Sequence, residues 1–556
     1  MSLSLDQLDK AKRRFGQPRQ LLSLLHRLAR QQFKDPAALI RFHETLLFLR
    51  AYPQSTEIAR RCNLLLKGIP ERIKSLERSG IDTSQFVNPE VSGIAGTFVT
   101  DCFSFNIVRW LSERYPSQLV LDWEWFEDEE RLASIWPRFM PLLEEEAQVE
   151  ANVPYLDWLR AARNGKQELP WIIEQFEHLM LSEAEKAELY DSLKLYVRWT
   201  PSFRASRTGM RLKVRKLFTH QDKLIPRSAV DLDKELRTVA PTSTKLSAGQ
   251  GRRILDLARE TSTLRYRELF GFTHGDEKRV LKASLGRGVD LFVMGVPPGD
   301  RLPLRAYHAA MIFKNGIPIG YFEGLSLFDR MESGFNLYYT FREGETAWIY
   351  ARTLKVFRQL LGITAFVLDP YQIGYKNEEG IESGAFWFYR KLGFRPTSQK
   401  IRKLTEREEA KIARRDSYRT PPGILRQLAT SPLIFELDEN RSGDWDRFSV
   451  RAIGLSVQRR MAAKHQGSAI RIREESVKLI SQMLAIKRAD LEKFSSALSD
   501  FAVVLALVPD LRDWSKQEKE AVVRIIQAKA NADEARYLRL MQRHSKLRSA
   551  FIKLGS

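Results

Sequence analysis

Cysteine and histidine are scarce in this chain of 556 residues, which contains 2 cysteines and 8 histidines. Cys62 and Cys102 are too few and too badly spaced for a disulfide framework or a cysteine-based zinc site, so we expect both to be buried as small hydrophobic side chains. The zinc-protease pattern HExxH is absent. The sequence therefore predicts no metal site.

Long apolar runs are lacking as well. The longest, FAVVLALV at 501–508, ends before Pro509 and is far shorter than the ~20 residues that a membrane-spanning helix needs. The N-terminal segment MSLSLDQLDKAKRRF carries charges throughout and lacks the apolar centre of a secretory signal. The patterns GxxxxGK(S/T) and GxSxG, typical of P-loop proteins and serine hydrolases, are also missing. We therefore expect a cytoplasmic protein with no membrane partner.

Positive charge is plentiful. The chain has 90 Lys and Arg against 69 Asp and Glu, which gives a net charge of +21 at pH 7. A surplus of this size favours encounter with polyanions such as nucleic acid, phosphorylated cofactors or anionic lipid. It limits the class of partner and does not specify the fold.

The chain is longer than one hydrophobic core usually organises, since domains typically contain ~100–200 residues. Its hydrophobic fraction of 43% is that of an ordinary globular protein. We expect an α+β protein with four parts: an all-α domain at 1–200, a basic linker at 201–250, a mixed-sheet domain at 251–400 and a basic all-α region at 401–556.

Helix start signals recur in both flanks. Ser182 with Glu185, and Ser515 with Glu518, are capping-box patterns. The run LVLDWEWF at 119–126 has strand character, but it alternates too briefly to change the all-α prediction for the N-terminal flank.

Residues 198–227 are rich in arginine and lysine and contain one acid, Asp222. Phe203 and Phe218 interleave with the charges, as stacking residues do in proteins that bind single-stranded nucleic acid. A solvated basic connector with two anchoring aromatic side chains fits the same pattern, and the sequence leaves both interpretations open.

A second basic feature lies near the C-terminus. Arg536, Arg539, Arg543 and Lys546 lie at offsets of 0, 3, 7 and 10 residues, which places them on one face of the terminal helix. Such a face either contacts phosphate groups or is simply solvated.

Between these flanks the hydrophobic period changes from 3.6 toward 2. Short runs rich in β-branched and aromatic residues lie at 291–296, 305–313, 317–328, 335–341 and 363–369. Asn315-Gly316 between two of them is a strong hairpin signal. We therefore predict a strand meander over 291–341, then a helix over 345–361, a strand, and a second helix.

The run AFWFYRKLGF from Ala385 to Phe394 resembles the stretch Ala-x-x-x-Tyr-x-Lys-x-Gly-Phe of the GNAT superfamily of N-acyltransferases. Together with the order of elements, the resemblance covers residues 290–398 and implies a GNAT-like mixed sheet. In that family the tyrosine usually lies near the CoA sulfur and can protonate the leaving thiolate, so the resemblance implies this role for Tyr389. A tyrosine packed in an aromatic helix is the structural alternative.

The strand, turn and helix at 335–361 are similar in position to the segment that holds the CoA pyrophosphate in this family. A tight turn before a helix presents unpaired N–H groups, which attract anions. The cofactor-binding residues that the resemblance implies are Phe341, Arg342, Glu343, Gly344, Glu345, Thr346 and Ala347. The segment departs from the family pattern, because Phe341 occupies a Gln/Arg position and because Glu343 and Glu345 place two carboxylates where a pyrophosphate would bind.

The family takes its general base from differing positions. Glu323, late in a predicted strand, is the first candidate here, and His308, Tyr338 and Asp369 follow it. Each of the four also has a purely structural interpretation. The long connection PYQIGYKNEEGIE, which lies at the predicted carboxyl edge of the sheet, is a candidate for shaping the acceptor site.

The resemblance implies an acyl-CoA-dependent N-acyltransferase, which uses acetyl-CoA or another acyl-CoA and transfers the acyl group directly to an amine of unknown identity. The basic flanks would then recruit an anionic acceptor such as nucleic acid or an acidic protein. The alternative is a catalytically degenerate GNAT-like binding or regulatory protein whose flanks bind nucleic acid or protein. The direction of Glu343 and Glu345 separates the two, because carboxylates that fill the cleft would exclude the cofactor.

Overall fold

The computed structural model describes residues 2–128, 130–140, 146, 154–415, 417–487, 491–531 and 533–556. The chain divides into two compact units, each assembled from several segments. The first unit comprises Met1–Lys223, Arg252–Thr273 and Lys314–Pro318, and the second comprises Leu224–Gly251, His274–Phe313 and Ile319–Ser556. The boundaries predicted at 200, 250 and 400 do not coincide with these units, because segments distant in sequence fold together.

Helices dominate both units. Up to residue 273 they are α1 (Ser2–Ala11), α2 (Pro18–Ala29), α3 (Pro36–Ala51), α4 (Thr56–Lys67), α5 (Ile69–Arg78), α6 (Phe105–Arg114), α7 (Glu130–Ile135), α8 (Tyr155–Ala162), α9 (Glu168–His178), α10 (Glu183–Leu193), α11 (Leu232–Arg237), α12 (Ala248–Thr263) and α13 (Phe270–Thr273). From residue 346 onward they are α14 (Thr346–Leu361), α15 (Glu378–Glu382), α16 (Ala385–Arg390), α17 (Gln399–Arg414), α18 (Pro422–Leu428), α19 (Val450–His465), α20 (Ala469–Met483), α21 (Ser495–Leu505), α22 (Lys516–Ala530), α23 (Glu534–Gln542) and α24 (Ser545–Gly555). Among the described residues, no helix is both long enough and apolar enough to cross a bilayer.

Local capping chemistry determines where two of these helices begin. The predicted capping boxes at Ser182 and Glu185 and at Ser515 and Glu518 are both formed. In each box the serine oxygen accepts the N–H of the glutamate, and the glutamate carboxylate accepts the N–H of the serine. Two N–H groups that lack a partner within the helix are thereby satisfied at each start.

Three short strands lie among the helices of the first unit. They are β1 (Val99–Asp101), β2 (Leu119–Leu121) and β3 (Val197–Trp199), which form an antiparallel sheet in the order β1-β3-β2. These strands correct the all-α prediction for residues 1–200. Each is only three residues long, so its alternation is too brief to be recognised from the sequence.

An aromatic core stabilises the first unit. Phe105, Trp136, Phe176, Tyr190 and Trp199 are each less than 2% exposed. The Phe105 and Tyr190 rings lie 5.2 Å apart, and the Phe176 and Tyr190 rings 5.4 Å apart. Full burial of a large apolar side chain contributes about 1.5–3 kcal/mol, so each of these side chains stabilises the unit.

The basic segment that begins at Arg198 is folded into the first unit as far as residue 223. Arg198 forms an ion pair with Asp122, and the buried Arg207 forms one with Glu44. Phe218 is half-buried. The segment is therefore not a free linker, since part of its charge is compensated inside the unit.

The second unit is built on a nine-stranded sheet. Its strands are β4 (Ser243–Lys245), β5 (Val280–Gly286), β6 (Val289–Gly295), β7 (Ala306–Lys314), β8 (Ile317–Leu327), β9 (Arg330–Leu337), β10 (Ala365–Leu368), β11 (Arg395–Pro396) and β12 (Leu433–Glu436). They lie in the order β11-β12-β10-β9-β8-β7-β6-β5-β4. The predicted meander is confirmed, because β6 to β9 are neighbours in space as in sequence. Strand β12 corrects the all-α prediction for 401–556.

The hairpin predicted at Asn315-Gly316 connects β7 and β8. Both residues have positive φ, 50° and 77°, as a two-residue type I′ turn requires. The Asn315 side chain is also bonded, because its Oδ1 accepts the Phe218 N–H at 2.8 Å and its Nδ2 donates to the Ala51 carbonyl at 2.8 Å. The Asn315 side chain therefore also connects the turn to the main chain at Phe218 and at Ala51.

Strands β9 and β10 run parallel, whereas β8 and β12, their outer neighbours, run antiparallel to them. A parallel pair needs a crossover connection, and α14 supplies it. The helix predicted at 345–361 is confirmed at Thr346–Leu361, and it ends at Gly362, whose φ of 75° suits a left-handed cap.

The C-terminal helices depart from the prediction at one point. Helix α23 ends at Gln542, and α24 begins at Ser545. The His544 Nδ1 accepts the Leu547 N–H at 3.1 Å and so caps the new helix. The four predicted basic residues from Arg536 to Lys546 therefore do not lie on one continuous helix.

Arg548 of α24 connects three parts of the second unit. Its Nε donates to Asp329 at 2.7 Å, and its Nη1 donates to Asp444 at 2.6 Å. The main-chain oxygen of Asp329 accepts the N–H groups of Thr364 and Ala365 at the start of β10. Arg548 and Asp329 are each about nine-tenths buried or more, so the pair is shielded from water.

We predict that Arg548→Gln lowers the free energy of unfolding by ~3 kcal/mol, because the substitution leaves the Asp329 carboxylate buried without its cation. Chemical denaturation of the full chain measures the change. Arg543→Gln is the matched control. Arg543 is exposed and has no ion pair with any described residue, so its substitution should change the free energy by less than about 0.5 kcal/mol. Equal effects of the two substitutions would contradict the prediction.

Candidate functional site

Strands β9 and β10 pair over a short distance and then part. Three residue pairs join them, and Glu332 opposite Val367 is the last. Strand β10 ends at Leu368, whereas β9 continues to Leu337. In the described part of the chain, β9 therefore has a strand partner on one side only from Ser333 onward.

The register of β8 and β9 determines the direction in which the main-chain N–H and carbonyl groups of this open edge point. The N–H of Tyr338 donates to the carbonyl of Ile319 at 2.9 Å, and hydrogen bonding alternates along an antiparallel pair. The main-chain groups of Ser333, Phe335 and Leu337 therefore point away from β8, toward the side where β10 has ended. This side of β9 is therefore bordered by main-chain groups that have no further strand partner in the described part of the chain, although the Leu337 carbonyl accepts from Arg342.

Residues 338–345 connect β9 to α14 and contain a short 3₁₀ helix over Tyr339–Phe341. The Thr346 hydroxyl at the start of α14 donates to the Arg342 carbonyl at 2.9 Å. The side chain of the N-cap residue, Glu345, makes no hydrogen bond to the N–H groups in the first turn of α14. These groups and the helix dipole make the start of α14 a place that attracts anions.

Glu345 immediately precedes α14 and is fully buried. Its Oε1 accepts from Arg287 Nη2 at 2.6 Å and Nε at 2.8 Å, and from the Ile225 N–H at 3.2 Å. The carboxylate is thus directed to an arginine rather than to the N–H groups of α14, and its charge is compensated. Glu343 is exposed. Of the other predicted turn residues, Phe341 and Ala347 are buried.

Arg342 lies at the edge where the strands part. Its Nε donates to the Leu337 carbonyl at 3.1 Å, and its Nη2 donates to the Asn336 side chain at 3.4 Å and to the Glu379 carboxylate. The guanidinium is thus held against the open edge of β9. Its charge is compensated by Glu379, as that of Glu345 is compensated by Arg287.

Tyr389 of α16 lies beside the same gap. Its ring is 5.4 Å from that of Tyr350 on α14, and the Tyr350 hydroxyl is 3.3 Å from the Ser333 hydroxyl on β9. Burial raises the pKa of Tyr389, and the charge of Arg342 opposes this only in part. The phenol therefore remains protonated at neutral pH. Its hydroxyl has no hydrogen-bond partner among the described residues.

Glu323 lies on the opposite face of the sheet from α14. Phe322 and Phe335, which lie opposite each other on β8 and β9, face α14. The Phe322 ring stacks on the ring of Phe357 in α14, with the ring centroids 4.7 Å apart. Glu323 is opposite Gly334 and points the other way. The Tyr307 hydroxyl donates to its carboxylate, and burial raises its pKa. A carboxylate with a raised pKa is a stronger proton acceptor.

The other candidate bases have different surroundings. The Asp369 carboxylate accepts the Tyr371 N–H at 2.8 Å and so caps a turn. The His308 ring lies 6.4 Å from Phe357 of α14, on the face opposite Glu323. Tyr338 is 7% exposed and continues the ladder between β8 and β9. The structure therefore does not bring these three together with Glu323.

Several residues of the site were not predicted from the sequence. Ser333, Asn336 and Tyr350 surround the gap, and Arg287 compensates Glu345. Arg287 lies in the turn between β5 and β6, 58 residues before its partner. No local pattern connects residues at that separation, so only the tertiary structure identifies the pair.

We predict that the Glu323→Gln variant gains stability relative to the wild type as the pH rises from about 4 to 7. A raised pKa means that the folded state favours the protonated acid, so the wild type loses stability as Glu323 ionises. Glutamine does not ionise and avoids this loss. Denaturation curves at several pH values measure the difference.

Glu382→Gln is the control for this measurement, because Glu382 is exposed and has no partner among the described residues. Its difference from the wild type should not change with pH. A flat difference for Glu323→Gln would show that this carboxyl has an ordinary pKa.

No protein-family model, no curated protein and no solved structure matches this chain. Any function for the site therefore has to be argued from its own geometry.

Proposed function

We propose that the second unit is a GNAT-like N-acyltransferase that binds an acyl-CoA thioester between β9 and β10 and transfers the acyl group to an amine. One observation carries the proposal. A parallel strand pair connected by α14 parts after Glu332 and Val367, and a turn with uncapped N–H groups opens onto the same end of the sheet.

The open edge of β9 suits the extended, amide-containing arm of CoA. Phe335 presents an N–H and a carbonyl toward the gap, and an extended chain with amide groups can pair with such an edge as an added strand does. The start of α14 suits the pyrophosphate, because helix N-termini attract phosphate groups. An acyl-CoA bound here supplies a thioester carbonyl that is activated for attack by an amine.

The negative charge of Glu345 is compensated, which supports a site that can bind pyrophosphate. A carboxylate at the start of α14 would repel a pyrophosphate if its charge were free. Arg287 neutralises that charge, because its Nη2 lies 2.6 Å from the Glu345 Oε1. The carboxylate therefore binds the guanidinium instead of the N–H groups of the helix. Arg342, whose charge is compensated by Glu379, is held at the mouth of the gap. These contacts favour the enzyme over the degenerate alternative.

Glu323 and Tyr389 have complementary properties for proton transfer. The Glu323 carboxylate, with its raised pKa, accepts the proton of the attacking amine. The Tyr389 hydroxyl, protonated at neutral pH, donates a proton to the departing sulfur. Glu323 projects from the face opposite α14 and Tyr389 packs beside α14, so an acyl group in the gap would be approached from both sides.

The connection after β10 is proposed to face the acceptor. It contains a short 3₁₀ helix over Pro370–Ile373 and then α15. Tyr371 and Tyr375 are 55% and 43% exposed. Exposed aromatic side chains at the carboxyl end of a strand are suited to contact a substrate. The identity of the amine does not follow from these residues.

We expect acetyl-CoA to bind the full-length protein with a dissociation constant in the micromolar range, measured by isothermal titration calorimetry. Gly344→Trp should abolish this binding by filling the turn before α14. Gly423→Trp is the control. Gly423 lies near the start of α18, where an added Cβ meets nothing within 4 Å, so its substitution should leave binding unchanged. Absence of binding to the wild type at millimolar acetyl-CoA would overturn the proposal.

We further expect Glu323→Gln and Tyr389→Phe each to lower kcat by about a hundredfold or more while acetyl-CoA binding is retained, since general acid or base catalysis typically contributes ~10²–10⁴-fold. Release of free CoA thiol, with spermidine or a lysine-containing peptide as the amine, measures the rate. Binding of acetyl-CoA with no thiol release above the rate of hydrolysis would favour the degenerate binding protein. Unchanged rates in both variants would remove these residues from the mechanism.

A further inference from the structure

A cavity lies in the second unit, at the end of α14 that is distant from the turn before the helix. Its volume is about 450 Å³, within the range of small-molecule sites. The cavity is lined by residues of β4 to β7, the end of α14 and the start of α23. Helix α14 contains 16 residues, so its far end lies about 20 Å from the turn that precedes it. The cavity is therefore separate from the gap between β9 and β10.

Most of the cavity wall is apolar. Leu281 of β5, Val293 of β6, Val296 after β6, and Leu360 of α14 line it. All four side chains are aliphatic, and Leu281 lies opposite Val293 in the pairing of β5 and β6, so these two share one face of the sheet. A wall of this kind binds the hydrocarbon part of a ligand by removing it from water.

His308 is a buried polar residue in the lining of this cavity. It is 9% exposed, and its Nδ1 has no hydrogen-bond partner among the described residues. Burial lowers its pKa, so the ring is neutral at pH 7 and can donate or accept one hydrogen bond there. Buried polar atoms are nearly always paired in native proteins. The Nδ1 atom, in a residue that lines a cavity of this size, is therefore available for a hydrogen bond to a ligand.

Cations outnumber acids around the same cavity. Lys245, Arg279, Arg301 and Arg539 line it together with Asp533 and Glu534. Two of the four cations already have carboxylate partners, because Arg279 pairs with Asp276 at 3.1 Å and Arg301 lies 3.9 Å from Glu534.

The remaining two cations are exposed and form no ion pair with any described residue. Lys245 lies on the edge strand β4, and Arg539 lies on α23, where its Nη2 donates to the Leu360 carbonyl at 2.8 Å. The Asp533 carboxylate caps α23 by accepting the Ala535 N–H at 2.9 Å. The lining of the cavity therefore includes two cations, Lys245 and Arg539, that have positive charge available for an anionic ligand.

We propose that this cavity binds a small organic acid. Its apolar body lies against Leu281, Val293 and Leu360, its carboxylate is held by Lys245 and Arg539, and His308 Nδ1 forms a hydrogen bond with it. The cavity is independent of the acyl-CoA site, so the ligand is an additional effector or substrate rather than part of the thioester.

Calorimetric titration of the full-length protein with 4-phenylbutyrate and with 4-phenylbutan-1-ol tests the proposal. The two probes share an apolar body and differ in the anionic group. We expect the acid to bind at least about tenfold more tightly than the alcohol, because a charge-assisted contact exceeds a neutral one by at least this factor. Excess CoA should not displace the acid, whether or not CoA itself binds.

Two variants and a control identify the site. Lys245→Gln should weaken binding of the acid by about fivefold or more and leave the alcohol unchanged, whereas Val293→Trp should abolish binding of both probes by filling the cavity. Lys278→Gln removes the same charge from an exposed lysine that does not line the cavity, and it should have no effect.

The proposal is overturned if neither probe binds the wild type, if acid and alcohol bind equally, or if Lys278→Gln weakens the acid as much as Lys245→Gln does. Thermal melting of each variant separates loss of binding from loss of folding. Binding that persists in a folded Val293→Trp variant would also overturn it, since the acid would then occupy another place.

Discussion

Two parallel strands cannot be joined by a tight turn, and this constraint organises the second unit. Strands β9 and β10 run in the same direction, so the chain has to cross from one end of the sheet to the other, and α14 makes that crossing over 16 residues. The strands pair only as far as Glu332 and Val367. Beyond that point the open edge of β9, the turn before α14 and the ring of Tyr389 surround one gap. The proposed acyl-CoA site is a consequence of this single connection.

Ion pairs between arginines and acidic residues are a second feature on which the structure depends. The chain carries a net charge of +21, yet part of its positive charge is used internally. Ion pairs with a buried member join Arg198 to Asp122, Arg207 to Glu44, Arg287 to Glu345 and Arg548 to Asp329. A buried carboxylate without its cation would be strongly destabilising. The arginines therefore allow acids to occupy interior positions, and one of these acids directly precedes the helix proposed to receive a pyrophosphate.

Features that depend on local sequence signals were predicted correctly. The turn at Asn315-Gly316, the extent of α14 and the capping boxes depend on interactions between residues close in the chain, and all are confirmed. The predictions were wrong where the signal is weak or distant. The strands β1 to β3 are too short to show a period, and the interruption between α23 and α24 depends on a histidine cap that carries no strong sequence signature. The roles of Tyr389 and Glu323 remain predictions, although their burial and raised pKa values suit them.

The sequence by itself determined the helices, the strand meander and the excess of positive charge, because periodicity, capping and composition act within a few residues. Only the tertiary structure decided which groups meet. The Glu345 carboxylate is free or compensated according to the position of Arg287, which is 58 residues away. Glu323 and His308 face opposite sides of the sheet because neighbouring strands pair in one register. Contacts between distant segments depend on packing of the whole unit, and no local pattern of residues encodes them.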